Sequence, residues 1–174
     1  MKKQLKKIIY NLGLITVVEK LNYKLTKIRR EKENKIFLKA YPDVNLPPDF
    51  YMYETFDLNY EKFYNGGKDT AQWVVNTLSK YKQLDKVRIL DWGCGAGRVL
   101  RHMPDFTINS AVYGSDYNTN YVAWCKANLK NCTVKENELT PPLEFDDNFF
   151  DVIYSISIFT HLSMEKHKQW LNEL

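Results

Sequence analysis

Residues 89–98, Ile-Leu-Asp-Trp-Gly-Cys-Gly-Ala-Gly-Arg, constrain the fold more than any other stretch of this chain. An apolar run ends at an acid, Asp91, and glycines then recur at every second position, Gly93, Gly95 and Gly97, with Cys94 between the first two. A short apolar run closed by a turn predicts a buried strand, here residues 87–91. Glycines let the backbone bend sharply and let a ligand approach the main chain with no Cβ in the way. Residues 98–103 are predicted to open a helix that Pro104 stops, and a helix start behind the glycines would offer free N–H groups to an anion. The dinucleotide fingerprint is GxGxxG; here the third glycine comes one residue early and Arg98 follows it, which argues against NAD and an NAD-dependent dehydrogenase. The tighter spacing suits a ligand whose anion is a small carboxylate.

Strand and helix signals alternate from this point on. Residues 111–115 predict a second strand, 118–129 a helix, 132–136 a weaker third strand and 150–155 a fourth. Residues 163–174 predict a helix with Met164, His167, Trp170 and Leu171 on one side. Repeated strand–helix units imply a mostly parallel sheet covered by helices. Asp116 then stands at the carboxyl end of the second strand, beside the glycine loop, where its carboxylate can accept hydrogen bonds from both hydroxyls of a ribose. The competing role for Asp116 is a helix N-cap, with Asn118 as an alternative capper. Upstream, Asn65-Gly66-Gly67 reads as a turn ahead of a helix at about 70–81, whose apolar face would be Trp73, Val74, Thr77, Leu78 and Tyr81. Residues 41–64, rich in aromatics and proline, read as an irregular lead-in.

The ordered set LDWGCGAGRVLRH, VYGSDYN, NELTPPLEF and FFDVIYSISIFTHL resembles the successive motifs of class I S-adenosylmethionine-dependent methyltransferases, most of all a bacterial group with a GCGxGRVLRH loop and an SxFTHL stretch. The resemblance covers residues 60–174. It implies an α/β, Rossmann-like methyltransferase fold with strand order 3-2-1-4 for the strands present. It also implies S-adenosyl-L-methionine as cofactor, with Asp91, Gly93, Cys94, Gly95 and Gly97 around the methionine moiety and Asp91 near its ammonium. Asp116 would hold the ribose, Tyr117 would flank the adenine, and Asn137 and Glu138 would meet the adenine amine. Ser155 and Ile156, with Ser157, would line the place where donor and acceptor meet. His161 is the candidate general base by position; a histidine that only packs or caps a helix start is the alternative. The resemblance further implies a small-molecule or sugar-like acceptor. A non-catalytic nucleotide-binding or scaffold module is the second reading. Nucleic-acid methylation is disfavoured, because Ser-Ile-Ser-Ile stands where amino-methylating enzymes carry (N/D)PP(Y/F). The family's sheet has seven strands and four are legible here, so the resemblance implies a domain incomplete at its C-terminus and of low stability and activity by itself.

Charge separates the chain into two parts. Residues 1–40 hold 12 Lys/Arg against 3 Asp/Glu, a net of +9, whereas residues 41–174 hold 13 against 18, a net of −5. The expected organisation is a basic amphipathic helical extension, 1–40, and an S-adenosylmethionine-binding domain, 41–174. In the extension Leu5, Ile8, Ile9, Leu12, Ile15, Val18, Leu21, Leu25 and Ile28 form one helical stripe. Three roles stay open for it: packing on the domain, a peripheral membrane helix, and a coiled-coil arm for self-association. The uncharged run at residues 8–18 is shorter than the ~20 residues a membrane span needs, and no small-x-small cleavage site follows it. Three cysteines, Cys94, Cys125 and Cys132, form no CxxC and stand at no metal-ligand spacing with histidine, so neither a disulfide scaffold nor a zinc site is expected. Reduced thiols and a cytoplasmic location, open to a peripheral membrane position, are the expectation.

Overall fold

The computed structural model describes residues 15–174. In chain order the elements are α1 (Ile15–Ala40), α2 (Asp49–Phe56), α3 (Tyr60–Leu78), β1 (Arg88–Trp92), α4 (Met103–Phe106), β2 (Ala111–Asp116), α5 (Thr119–Asn128), β3 (Thr133–Glu136), β4 (Val152–Tyr154) and α6 (Met164–Glu173). Single 3-10 turns at Leu100–His102 and Phe159–His161 complete them. The chain divides into two compact units, one ending at Phe63 and the other spanning Tyr64–Leu174.

The second unit is built on a four-stranded parallel sheet of order β3-β2-β1-β4, the order expected. β1 is central, with Asp91 opposite Gly114 of β2 and Tyr154 of β4. Successive side chains of a strand point to opposite faces, and both faces of β1 are covered. Ile89 joins a core with Val75, Leu100, Val112, Val122 and Val134, whereas Leu90 and Trp92 join Leu143 and Trp170 on the other side. Ile89 and Leu90 are fully buried, each contributing roughly 2 kcal/mol.

Several local expectations are corrected. Asn65-Gly66-Gly67 is not a turn: α3 runs through it. A Cβ on Gly67 would stand 2.3 Å from the Arg98 carbonyl oxygen, so this glycine serves the approach of the glycine-loop backbone to the helix. Arg98 closes the same contact, donating from Nη1 to the Gly66 carbonyl at 2.9 Å. The buried face of α3 is Ala71, Val74 and Val75, while Trp73 and Tyr81 are exposed. No sustained helix follows the glycines: residues 95–99 are turns, then come the 3-10 turn and the four-residue α4. Pro104 sits in the first turn of α4, where its missing N–H costs nothing, so it starts that helix instead of stopping one. In α6 only Trp170 is buried, and Met164 and Leu171 face solvent.

The first unit joins α1, α2 and the start of α3. Residues 41–64 are less irregular than expected, because they include α2, entered from Pro48. Met52, Leu58 and Phe63 form its core, edged by Tyr23, Leu46, Phe56 and Tyr60. α1 turns its polar and aromatic side to this core: Thr26, Asn34 and Phe37 are its buried residues. The buried Asn34 amide donates to the Leu58 carbonyl at 2.9 Å and accepts from the Tyr60 N–H at 3.2 Å. Arg29 and Arg30 both donate to the Asp57 carboxylate, and Lys27 and the Tyr60 hydroxyl share Asp49. The apolar stripe does not pack: Ile15, Leu21, Leu25 and Ile28 are exposed, and Leu5, Ile8, Ile9 and Leu12 lie outside the described residues.

Candidate active site

The carboxyl ends of β1, β2 and β3 converge on one cavity of about 170 Å³. It is lined by Trp92 and Gly93 after β1, Asp116 and Tyr117 after β2, Asn137, Glu138 and Leu139 after β3, and Ile158, His161, Leu162 and Trp170 beyond β4. A parallel sheet produces this convergence, since every strand ends on the same side and the connections leave a crevice there. Among the residues expected from sequence, Gly93, Asp116, Tyr117, Asn137, Glu138 and His161 meet in this lining.

Asp116 is the organising side chain. Its Oδ2 accepts from the Gly95 N–H at 2.8 Å and its Oδ1 from the Asn118 N–H at 2.9 Å. It does not cap α5: Asn118 does, accepting from the Asn120 and Tyr121 N–H groups. A carboxylate has about four acceptor positions, so Asp116 keeps capacity for hydroxyl donors in the cavity. Burial pushes its pKa up, against the pull of the backbone N–H groups of Asn118, Gly95 and Tyr117.

Asp91 lies behind the loop and outside the lining, buried at the end of β1. Desolvation raises its carboxyl pKa to about 7; the neighbouring Tyr154 hydroxyl opposes this, the Asp116 charge adds to it, and Arg98 opposes it. The Tyr154 hydroxyl stands beside the carboxyl without the alignment of a full hydrogen bond.

The three loop glycines differ. Gly95 has φ +56° and only open space where a Cβ would lie, which leaves main chain accessible to a ligand. Gly97, at φ +73°, faces inward: a Cβ there would stand 2.5 Å from Leu129 Cδ1 and 3.1 Å from Cys125 Sγ. Its smallness lets α5 pack on the loop. Cys94 is buried and, like Cys125 and Cys132, is a free thiol. Ser155 lies in a groove along the outer edge of β4, and Ile156 packs on the core, so neither lines the cavity. His161 does, but its imidazole is exposed and makes no hydrogen bond among the described residues.

Sequence reading missed Trp92, Leu139, Ile158, Leu162 and Trp170. Trp92 packs on Trp170 at 4.7 Å and on Phe159 at 5.3 Å between ring centroids, making the apolar wall. A signal existed for Ile158 and Leu162, which flank Phe159-Thr160-His161, but none for Trp170, which comes from a helix remote in sequence.

The cavity fits S-adenosylmethionine on its own features. The main chain at Gly95 is open, Asp116 has free acceptor capacity, and the buried Asn137 Oδ1 has no partner and can receive an amine hydrogen. Among the described residues no cluster of His, Cys, Asp and Glu could hold a metal.

Residues 89–174 match the profile of a family described as a methyltransferase domain. The chain is 26% identical over 120 residues to a malonyl-[acyl-carrier protein] O-methyltransferase of Bacillus cytotoxicus, a match covering 67% of this chain and 38% of the relative. It thus spans well under half the length of that curated relative. Among solved structures it resembles the magnesium protoporphyrin IX methyltransferase of Synechocystis, determined with bound S-adenosylhomocysteine, at a TM-score of 0.53 and 18% identity over 84% of this chain and 65% of that one. The same enzyme with bound S-adenosylmethionine gives a TM-score of 0.50 at 17% identity, over 85% of this chain and 69% of that one. The Rossmann-like fold is therefore shared with this solved methyltransferase, and residues 89–174 match the methyltransferase domain family.

Proposed function

We propose that this chain is an S-adenosylmethionine-dependent methyltransferase acting on a small-molecule or sugar-like acceptor. The observation that carries the reading is Asp116: buried, not capping α5, tied to the glycine loop through Gly95 and still with acceptor capacity for a hydroxyl hydrogen. When bound, the cofactor supplies a methyl group on a positively charged sulfur. The chain's own residues then bind and align. Asp91, buried behind the loop, supplies negative charge on the ammonium side when ionised; Asp116 holds the ribose; Tyr117, Asn137 and Glu138 bound the adenine; Trp92, Ile158 and Leu162 exclude water. Transfer from sulfur needs mainly an aligned pair of reactants in a dry site.

The acceptor's atom decides whether His161 matters. A hydroxyl must lose its proton, and the exposed His161 imidazole on the cavity wall is the group in place to take it. A carboxylate, the acceptor class that the Bacillus relative's name implies, carries no such proton and would leave His161 without a chemical task.

Calorimetric titration of S-adenosylhomocysteine tests the reading. Asp116→Ala should weaken binding by at least ~30-fold, the loss of one strong charge-assisted hydrogen bond pair. Unchanged affinity in the variant, or no binding by the folded wild-type chain, would overturn it.

A further inference from the structure

α1 has two unlike faces. One carries Tyr23, Thr26, Arg30, Asn34 and Phe37 and is held in the first unit by named hydrogen bonds and ion pairs. The opposite face carries Val17, Leu21, Leu25, Ile28 and Ile36, which are 52%, 54%, 64%, 70% and 60% exposed. At 100° per residue these five fall within one contiguous stripe about 30 Å long. Aliphatic side chains at helical spacing are ordinarily the buried ones. Here the helix is already anchored through its polar side, so the stripe is surplus to the fold.

The charges around the stripe indicate what covers it. Lys27 is paired with Asp49, Lys35 with Glu31, and Arg29 and Arg30 with Asp57. Lys20, Lys24, Lys32 and Lys39 make no ion pair among the described residues. Lys20 and Lys24 border the stripe, and Lys32 and Lys39 lie within it, beside Ile28 and Ile36. A second copy of the chain docked on this face by a two-fold axis would set lysine against lysine at either end. An anionic lipid surface instead satisfies both features: acyl chains take the aliphatic side chains, and headgroup phosphates take the ammonium groups on their flexible stems. Among the described residues no helix is long and apolar enough to cross a membrane. A helix lying along the surface needs no such length.

We infer that the aliphatic face of α1 is a docking surface for an anionic lipid membrane, with the helix lying in the headgroup layer. The inference rests on the helical unit alone and stands apart from the methyltransferase reading. Flotation of the full chain with vesicles tests it. The chain should float with phosphatidylcholine vesicles containing about one-third phosphatidylglycerol and remain behind with phosphatidylcholine alone, and salt should release it. The double variant Leu25→Glu/Ile28→Glu alters two exposed positions and should keep the wild-type melting curve and S-adenosylhomocysteine affinity. It should nevertheless lose vesicle binding at least ~tenfold. Reversing Lys20, Lys24, Lys32 and Lys39 to Glu should abolish binding while the stripe is intact. The inference is overturned if wild type binds neither vesicle, if the Leu25→Glu/Ile28→Glu variant binds as well as wild type, or if sedimentation shows a stable dimer that this variant dissolves.

Discussion

β1 and α1 both carry a clean apolar pattern, and the structure treats them in opposite ways. In β1 the run becomes strand and is buried on both faces, Ile89 in one core and Leu90 in the other. In α1 the aliphatic stripe faces solvent while Asn34, Thr26 and Arg30 turn inward. The difference lies in what else can satisfy each element. A central parallel strand has covered faces on both sides and no alternative orientation. A helix satisfies its own backbone and can dock by whichever side finds better partners. Here the Asn34 amide meets two backbone groups, and Asp57 meets two guanidiniums.

Four experiments would break or sharpen that contrast. The largest effect is expected in the sheet unit, at Gly67. Alanine is the better helix former by ~1 kcal/mol at an open site. At this site its Cβ meets the Arg98 carbonyl, backbone that cannot swing aside. Gly67→Ala should therefore destabilise the chain, by about 3 kcal/mol in denaturant unfolding, and weaken S-adenosylhomocysteine binding with it. A stabilising effect would show that the loop does not pack as described.

The second concerns Asp91. Its folded pKa near 7 exceeds its unfolded value of 3.8, so the folded protein holds a proton that the unfolded chain has released across that window. Stability from this group is therefore full below about pH 4 and is lost as pH rises through 7. Binding of an ammonium-bearing ligand should run the other way, strengthening by up to about tenfold per pH unit below 7 and levelling off above. Asp91→Asn should flatten both profiles, measured by melting and by calorimetry between pH 5 and pH 8. Persistence of either slope in the variant would remove Asp91 as its source.

The last two act on α1 and test the inversion directly. Asn34→Ala leaves the Leu58 carbonyl and the Tyr60 N–H without a side-chain partner and should cost ~2 kcal/mol. Leu25→Ala should change stability by less than ~0.5 kcal/mol, although the same substitution in a packed core costs 2–5. If Leu25→Ala proved the more damaging of the two, the assignment of faces in α1 would be reversed.

Much of the second unit was legible before any coordinates. The alternation of strand and helix signals implied a parallel sheet and put Asp116 beside the loop, while the strand order 3-2-1-4 came from the resemblance to class I methyltransferases. These are local patterns acting through a fold in which every strand end points one way, so sequence order carries over into space. Gly66 and Gly67 misled because a glycine pair reads alike whether it turns the chain or admits a neighbour, and the neighbour, Arg98, is 31 residues beyond Gly67. Pro104 misled for a related reason, since proline is compatible with either end of a helix.

What the sequence determined by itself, then, is the run of four strands along the chain, the glycine loop after the first and the polar residues at the strand ends. Those follow from periodicities of two and 3.6 and from glycine's freedom, all properties of neighbouring residues. The tertiary structure alone decided which face of α1 is inside, that Trp170 closes the cavity wall, and that Asp91 sits near neutrality instead of low in the carboxylate range. Each of these depends on desolvation and on partners distant in the chain, and neither quantity is written in any local pattern.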